Sequence, residues 1–186
     1  MAIKSTIFKA QVAVADIDHA YYADHQLTIA RHPSETDERM MVRLAALALN
    51  AYKLQSVLGG DGVLGFGGGL STPDDPDVVL RDYTERVRVW IEVGQPEDKP
   101  LAKACSQSDE VMLYAFSPAA DVWWRGIQNK LTRLSNLSVW RIATEQSKAL
   151  EQLAQRSMQL QATIQEGVLM VGDEKRTVDV EPKRWK

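Results

Sequence analysis

The residues best suited to chemistry are carboxylates crowded into the middle of the chain, where residues 61–116 carry eleven Asp and Glu against five Lys and Arg. Asp74, Asp75 and Asp77 lie in STPDDPDVVL, and Glu92 lies in VRVWIEV. In the second string Val87, Val89, Ile91 and Val93 share one strand face, while Arg88, Trp90 and Glu92 share the other. If that strand is central, an unpartnered Glu92 would cost several kcal/mol and have a raised pKa, so a metal, lysine or arginine is expected beside it. At a sheet edge Glu92 would face water. Mg²⁺ takes one or two carboxylates and keeps several waters, so an acid-rich hairpin beside a glycine-rich loop suits it. A solvated acidic surface has the same composition. A fifth carboxylate, Glu38, continues the stripe Met41, Ala45, Ala48 and Tyr52 backward by three, which points it toward a sheet. Its alternative role is a favourable interaction with the helix N-terminus.

The elements that would position these groups alternate in period. Ile3–Val14 and Gln26–Ala30 read as an antiparallel pair. A helix over about 35–54 follows, with Ser34 as N-cap and Asp37 three residues on. Residues 59–69 hold seven of the eleven glycines and residues 71–77 two Pro-Asp pairs, which predicts a loop. Val78–Leu80 and Val87–Val93 form a hairpin. A short helix starts near Asp98, with Pro100 in its first turn, and Val111–Phe116 is a buried strand. The helix after Pro118 has the stripe Ala120, Trp123, Ile127 and Leu131. Leu137–Ile142 is a strand, Thr144 to about Arg156 a helix, and the end two or three strands. The expected class is α/β (α+β), a mixed sheet covered by helices in a single domain over 1–186.

Several chemistries lose support. The chain has 186 residues, a formal charge of −3 and a pI near 5.7, which argues against a binder held to nucleic acid by charge alone. One cysteine, Cys105, rules out an internal disulfide and multi-cysteine metal sites. His19, His25 and His32 lack zinc spacing, and His32 beside Pro33 reads as a turn residue. GDGVLG over residues 60–65 matches GxGxxG but follows a helix, whereas dinucleotide binding needs a strand before it and a helix after. No export signal and no run of about 18 apolar residues is present, so the expected address is the cytoplasm, with no membrane partner.

Together RHPSETDERMMVRL, GLSTPDDPDVVLR, WIEVGQP, LAKAC, LSVW and LQATIQEGV resemble the YaeQ family of small bacterial proteins. That resemblance implies a fold similar to the restriction-endonuclease-like PD-(D/E)XK core. The chemistry it implies is metal-assisted phosphodiester hydrolysis, with two acids holding Mg²⁺ and a lysine orienting water. Pro76-Asp77 and Glu92 match the metal pair, with Asp75 and Asp74 competing for the first acid. Glu38 resembles the additional helix acid of such nucleases. The lysine position is Gly94, so Lys103 or Lys99 on the next helix must substitute, and Lys103 faces away from Leu101, Ala104 and Cys105. Nucleic acid would then be the partner, met by Arg125, Lys130, Arg133 and the tail PKRWK. The alternative is a non-catalytic module that keeps the fold and binds a nucleic acid or a protein.

Overall fold

The computed structural model describes residues 4–68, 70, 72 and 74–186. Ile3, Gly69, Ser71 and Pro73, which the sequence assigns to the first strand and to the glycine- and proline-rich loop, lie outside the described residues.

Among the described residues the chain forms five helices and two mixed sheets. The first sheet opens with a long hairpin, β1 (Thr6–Asp16) and β2 (Tyr21–Arg31). It is completed by C-terminal strands, β8 (Ser157–Gln165), β9 (Val168–Gly172) and β10 (Thr177–Val180), in the order β10-β9-β8-β1-β2. Strand alternation sets its faces: Phe8, Ala10, Val12 and Val14 of β1 and Met158, Leu160, Ala162 and Ile164 of β8 are buried, while their sequence neighbours are mostly exposed. β2 begins five residues earlier than its apolar run suggests, because Tyr21–His25 pair with β1 through the backbone whatever their polarity.

The second sheet has the order β11-β7-β6-β5-β4-β3. Its members are β3 (Gly62–Phe66), β4 (Val78–Asp82), β5 (Val87–Val93), β6 (Glu110–Ala115), β7 (Leu137–Arg141) and β11 (Lys183–Arg184). β5, β6 and β7 run parallel, and β3, β4 and β11 are antiparallel to their neighbours. β3 occupies part of the stretch expected to be loop. Gly62 permits close backbone approach: a Cβ there would stand 2.5 Å from the Arg81 carbonyl oxygen. GDGVLG therefore leads into a strand and cradles no cofactor phosphate at a helix start.

Between the sheets lies α1 (Asp37–Asn50), where Met40, Met41, Val42 and Leu44–Ala48 are fully buried. Its N-cap is Thr36, whose hydroxyl accepts the Arg39 N–H at 3.1 Å. The expected cap Ser34 is instead hydrogen-bonded to His32 within the preceding turn. The single helix expected over 35–54 is two, because α1 ends at Asn50 and α2 (Lys53–Leu58) follows. The Asn50 amide nitrogen donates to the Ala46 carbonyl and the Ala51 N–H turns to Ala48, which tightens and closes the helix there. The far face of the second sheet is covered by α3 (Asp98–Gln107) and α4 (Ala120–Leu131). These bury Leu101, Ala104, Ile127 and Leu131 against Trp90, Val111, Leu113 and Val139. α5 (Thr144–Glu151) packs on α1.

Candidate functional site

The hairpin β4–β5 places the two acids of interest side by side. Pro76 leads directly into Asp77, whose N–H donates to the Ile91 carbonyl at 3.0 Å, one residue before the β4 ladder starts. Asp77 is 1% exposed and its side chain accepts the Val93 N–H at 2.9 Å through Oδ2. Arg39 Nη2 lies 2.9 Å from each carboxylate oxygen, yet only Oδ2 meets it with hydrogen-bond geometry. Oδ1 is thus buried with no hydrogen bond. Glu92 is the penultimate residue of β5, on the α3 face with Trp90, whose indole N–H donates to Glu92 Oε2 at 3.0 Å.

Burial raises the Glu92 pKa, the neighbouring Asp77 charge raises it further, and the result is about 7 despite the opposing pull of the Trp90 N–H and Arg39. Burial also raises Asp77, against Arg39, the Val93 N–H and Arg43. Two carboxylates in one desolvated place thus share a deficit of positive charge, the condition under which one holds a proton or a cation binds.

Glu92 lines a small pocket of about 30 Å³ together with Asp74, Trp90, Leu101, Lys103 and Ala104. That volume admits an ion or a water or two. Lys103, on the exposed side of α3, reaches it with Nζ 2.7 Å from Asp74 Oδ1. Asp75 turns elsewhere, its Oδ2 lying 3.2 Å from where a Cβ on Gly68 would be. Lys99 is exposed on the first turn of α3. The position two after Glu92, where the resemblance expects a lysine, is Gly94. Its φ is +110°, a conformation that disfavours any side chain, so the backbone at this position selects against lysine.

Glu38 does not reach the sheet. Its carboxylate accepts the Ser147 hydroxyl at 2.7 Å and meets Lys148 Nζ at 2.7 Å, so it fastens α1 to α5. Among the described residues no group of three or more His, Cys, Asp or Glu is arranged around one point. Arg125 is exposed on α4, Lys130 lies 3.4 Å from Asp98, and Arg133 falls just beyond the helix end. The tail is an edge strand on β7, with Trp185 stacked on Trp124.

The feature that sequence reasoning missed is the charge network behind Asp77. Glu35, 3% exposed, accepts Arg39 Nη1 and Arg43 Nη2, each at 2.8 Å, and Arg43 is fully buried with Nε and Nη1 unpaired. Burial opposes the Arg39 charge, but Asp77 and Glu35 outweigh it and hold the guanidinium above its ordinary range. The available signal was Arg43 inside the otherwise apolar run MMVRLAALAL, spaced four from Arg39 and eight from Glu35.

These features define a mixed α+β protein with two mixed sheets, the acids Asp77 and Glu92 on its second sheet and a small pocket beside Glu92. Residues 1–182 match the family model described as "YaeQ protein". The chain belongs to the YaeQ family. It is 43% identical over 186 residues to the uncharacterized protein YaeQ of Escherichia coli (strain K12), spanning all of this chain and 98% of that one. With its counterpart from Salmonella typhi the identity is 42% over the same spans. The crystal structure of a YaeQ protein from Xanthomonas axonopodis pv. citri is similar, with TM-score 0.87 and 38% identity over 98% of each chain. That from Pseudomonas syringae gives TM-score 0.88 and 31% identity over 98% of this chain and 96% of the other. No helix among the described residues is long and apolar enough to cross a membrane.

Proposed function

We propose that this protein is a Mg²⁺-dependent nuclease-like enzyme of the cytoplasm, acting on phosphodiesters in nucleic acid, with Asp77 and Glu92 as the metal-holding acids and Lys103 as the displaced lysine. The observation that carries the reading is the adjacency of Asp77, whose buried Oδ1 meets Arg39 without a hydrogen bond, and Glu92, whose proton is held near neutral pH. Both are oxygen donors of the kind a hard divalent cation takes, and the pocket beside Glu92 is small enough to keep that cation partly hydrated. A bound divalent cation would supply Lewis-acid polarisation of the phosphoryl group and a more acidic water. Glu92 would release its proton as it takes up this role, and Arg39 would keep Asp77 ionised and aimed. Lys103, steered by Asp74, would orient water or neutralise charge at the pocket mouth. The proposed likeness to the PD-(D/E)XK core is supported by the Pro76-Asp77 turn, the hairpin partner Glu92 and the parallel strands β5 and β6.

A second reading has its own observation. Arg39 already sits where a cation would, 2.9 Å from both Asp77 oxygens, so the same acids also suit a non-catalytic module that retains the nuclease fold and binds nucleic acid or protein. Titration calorimetry with Mg²⁺ and Mn²⁺, followed by cleavage assays on single-stranded and duplex DNA and RNA, separates the two. Metal-dependent cleavage abolished in Glu92→Gln and in Lys103→Ala supports the enzyme. Absence of both metal binding and cleavage overturns it.

A further inference from the structure

The face of the second sheet opposite Glu92 carries another pocket, of about 210 Å³, at the end where β6 and β7 approach the β1–β2 and β8–β9 turns. Its walls include Tyr52, Met112, Tyr114 and Trp140, with His19 at the rim and Asn50 among its lining residues. Asn50 is 2% exposed and Tyr114 3%. Their hydrogen bonding is forced by one contact. The Ala46 carbonyl, 2.8 Å away, can only accept, so the Asn50 atom facing it is the amide nitrogen. The same nitrogen donates to the Tyr114 oxygen at 2.8 Å, so Tyr114 accepts there and its own proton is uncommitted. Asn50 Oδ1 likewise receives no hydrogen bond among the described residues. Burial holds the Tyr114 phenol well above its ordinary pKa, so the proton stays on. An acceptor and a donor without protein partners among the described residues thus stand side by side, on two almost wholly buried residues that line a niche walled by aromatic rings.

The geometry points to a binding site for a nucleobase-type ring, with Asn50 Oδ1 accepting a ring or exocyclic N–H and the Tyr114 hydroxyl donating to the adjacent ring nitrogen or carbonyl. Nucleobases present such a donor beside such an acceptor on one edge and a flat apolar face for aromatic walls. A cavity of roughly 150 Å³ already admits benzene, so one six-membered heterocycle fits here. The rim is braced. The His19 ring stacks on Tyr52 at 3.5 Å between centroids, and the buried Asp16 carboxylate fixes its Nδ1 at 2.9 Å. The site shares no residue with the carboxylate pocket and is independent of the hydrolytic reading.

The test is titration of the full chain with uracil, uridine and 1,3-dimethyluracil, followed by amide, indole and side-chain N–H shifts in ¹H–¹⁵N NMR spectra. Saturable shifts at the Asn50 side-chain amide and the Trp140 indole with uracil or uridine are expected. Binding of 1,3-dimethyluracil, which stacks equally but lacks the N–H, should be at least about tenfold weaker. Tyr114→Phe, checked for native spectra, should weaken uracil by a similar factor. Equal binding of the dimethylated ring, unchanged affinity in Tyr114→Phe, or no shift at these groups up to the solubility limit would each overturn the proposal; the dimethyl comparison stands even if the variant does not fold.

Discussion

Replacing Glu92 by glutamine should make the protein more stable, and only at neutral and alkaline pH. The Glu92 pKa is raised from 4.5 to about 7 by burial and by Asp77. Because the folded-state value lies above the unfolded one, the folded state binds more protons between these pH values. Stability therefore falls as pH rises from about 4.5 to about 7, and the full loss persists above. At 1.36 kcal/mol per pKa unit the loss is of order 3 kcal/mol, and nearer 2 once solvent at the pocket mouth is allowed for. Glutamine keeps an oxygen for the Trp90 indole N–H but cannot ionise. Urea unfolding of both proteins at pH 4.5, 6, 7 and 8 should show curves that coincide at acid pH and separate by about 2–3 kcal/mol at pH 8, with Glu92→Gln the more stable. Saturating Mg²⁺ should close part of that gap in the parent protein alone, since a ligand of the folded state stabilises by mass action. A pH-independent difference, or a variant less stable at pH 8, would refute the placement of Glu92 in a desolvated site beside Asp77.

Other perturbations test the surroundings of the pair. Arg39→Met leaves Glu35 and Asp77 buried with one cation fewer and should cost about 3–5 kcal/mol in chemical denaturation, part of it recovered in Arg39→Met/Asp77→Asn. Gly94→Lys places a side chain at φ +110° and should cost about 1–3 kcal/mol without raising any metal-dependent cleavage, even though it puts a lysine two residues after Glu92. Thr36→Ala removes the hydroxyl that caps α1 and should cost about 1 kcal/mol in the same assay.

The parts of the fold visible in the sequence are those written in strict periods. From Val89 to Val93 the faces of VRVWIEV separate as strand alternation requires, whereas Val87, expected on the face of Val89, packs with Trp90 beside the register shift at Leu80 and Arg81; the isolated acid in that run already signalled that Glu92 needs a partner. Pro76 before Asp77 marked the hairpin entry for the same local reason. β3 was hidden because glycines punctuate loops far more often than they line a strand pressed against a carbonyl. Glu38 lay on the expected buried stripe, but its neighbour is α5, 109 residues later, and sequence spacing carries no record of which element covers a helix. Glu35, Arg39 and Arg43 escaped because charges four apart look like a solvated helix face until the burial of Arg43 is known.

Asp77 and Glu92 are proposed to form one cation site. Crystals soaked in Mn²⁺ at pH 8, where the Glu92 pKa of about 7 leaves this carboxylate mostly ionised, test the proposal through anomalous scattering. An anomalous peak within about 2–2.5 Å of oxygens from both carboxylates is predicted. Saturated crystals that bind manganese elsewhere while Arg39 alone continues to bridge Asp77 would contradict it.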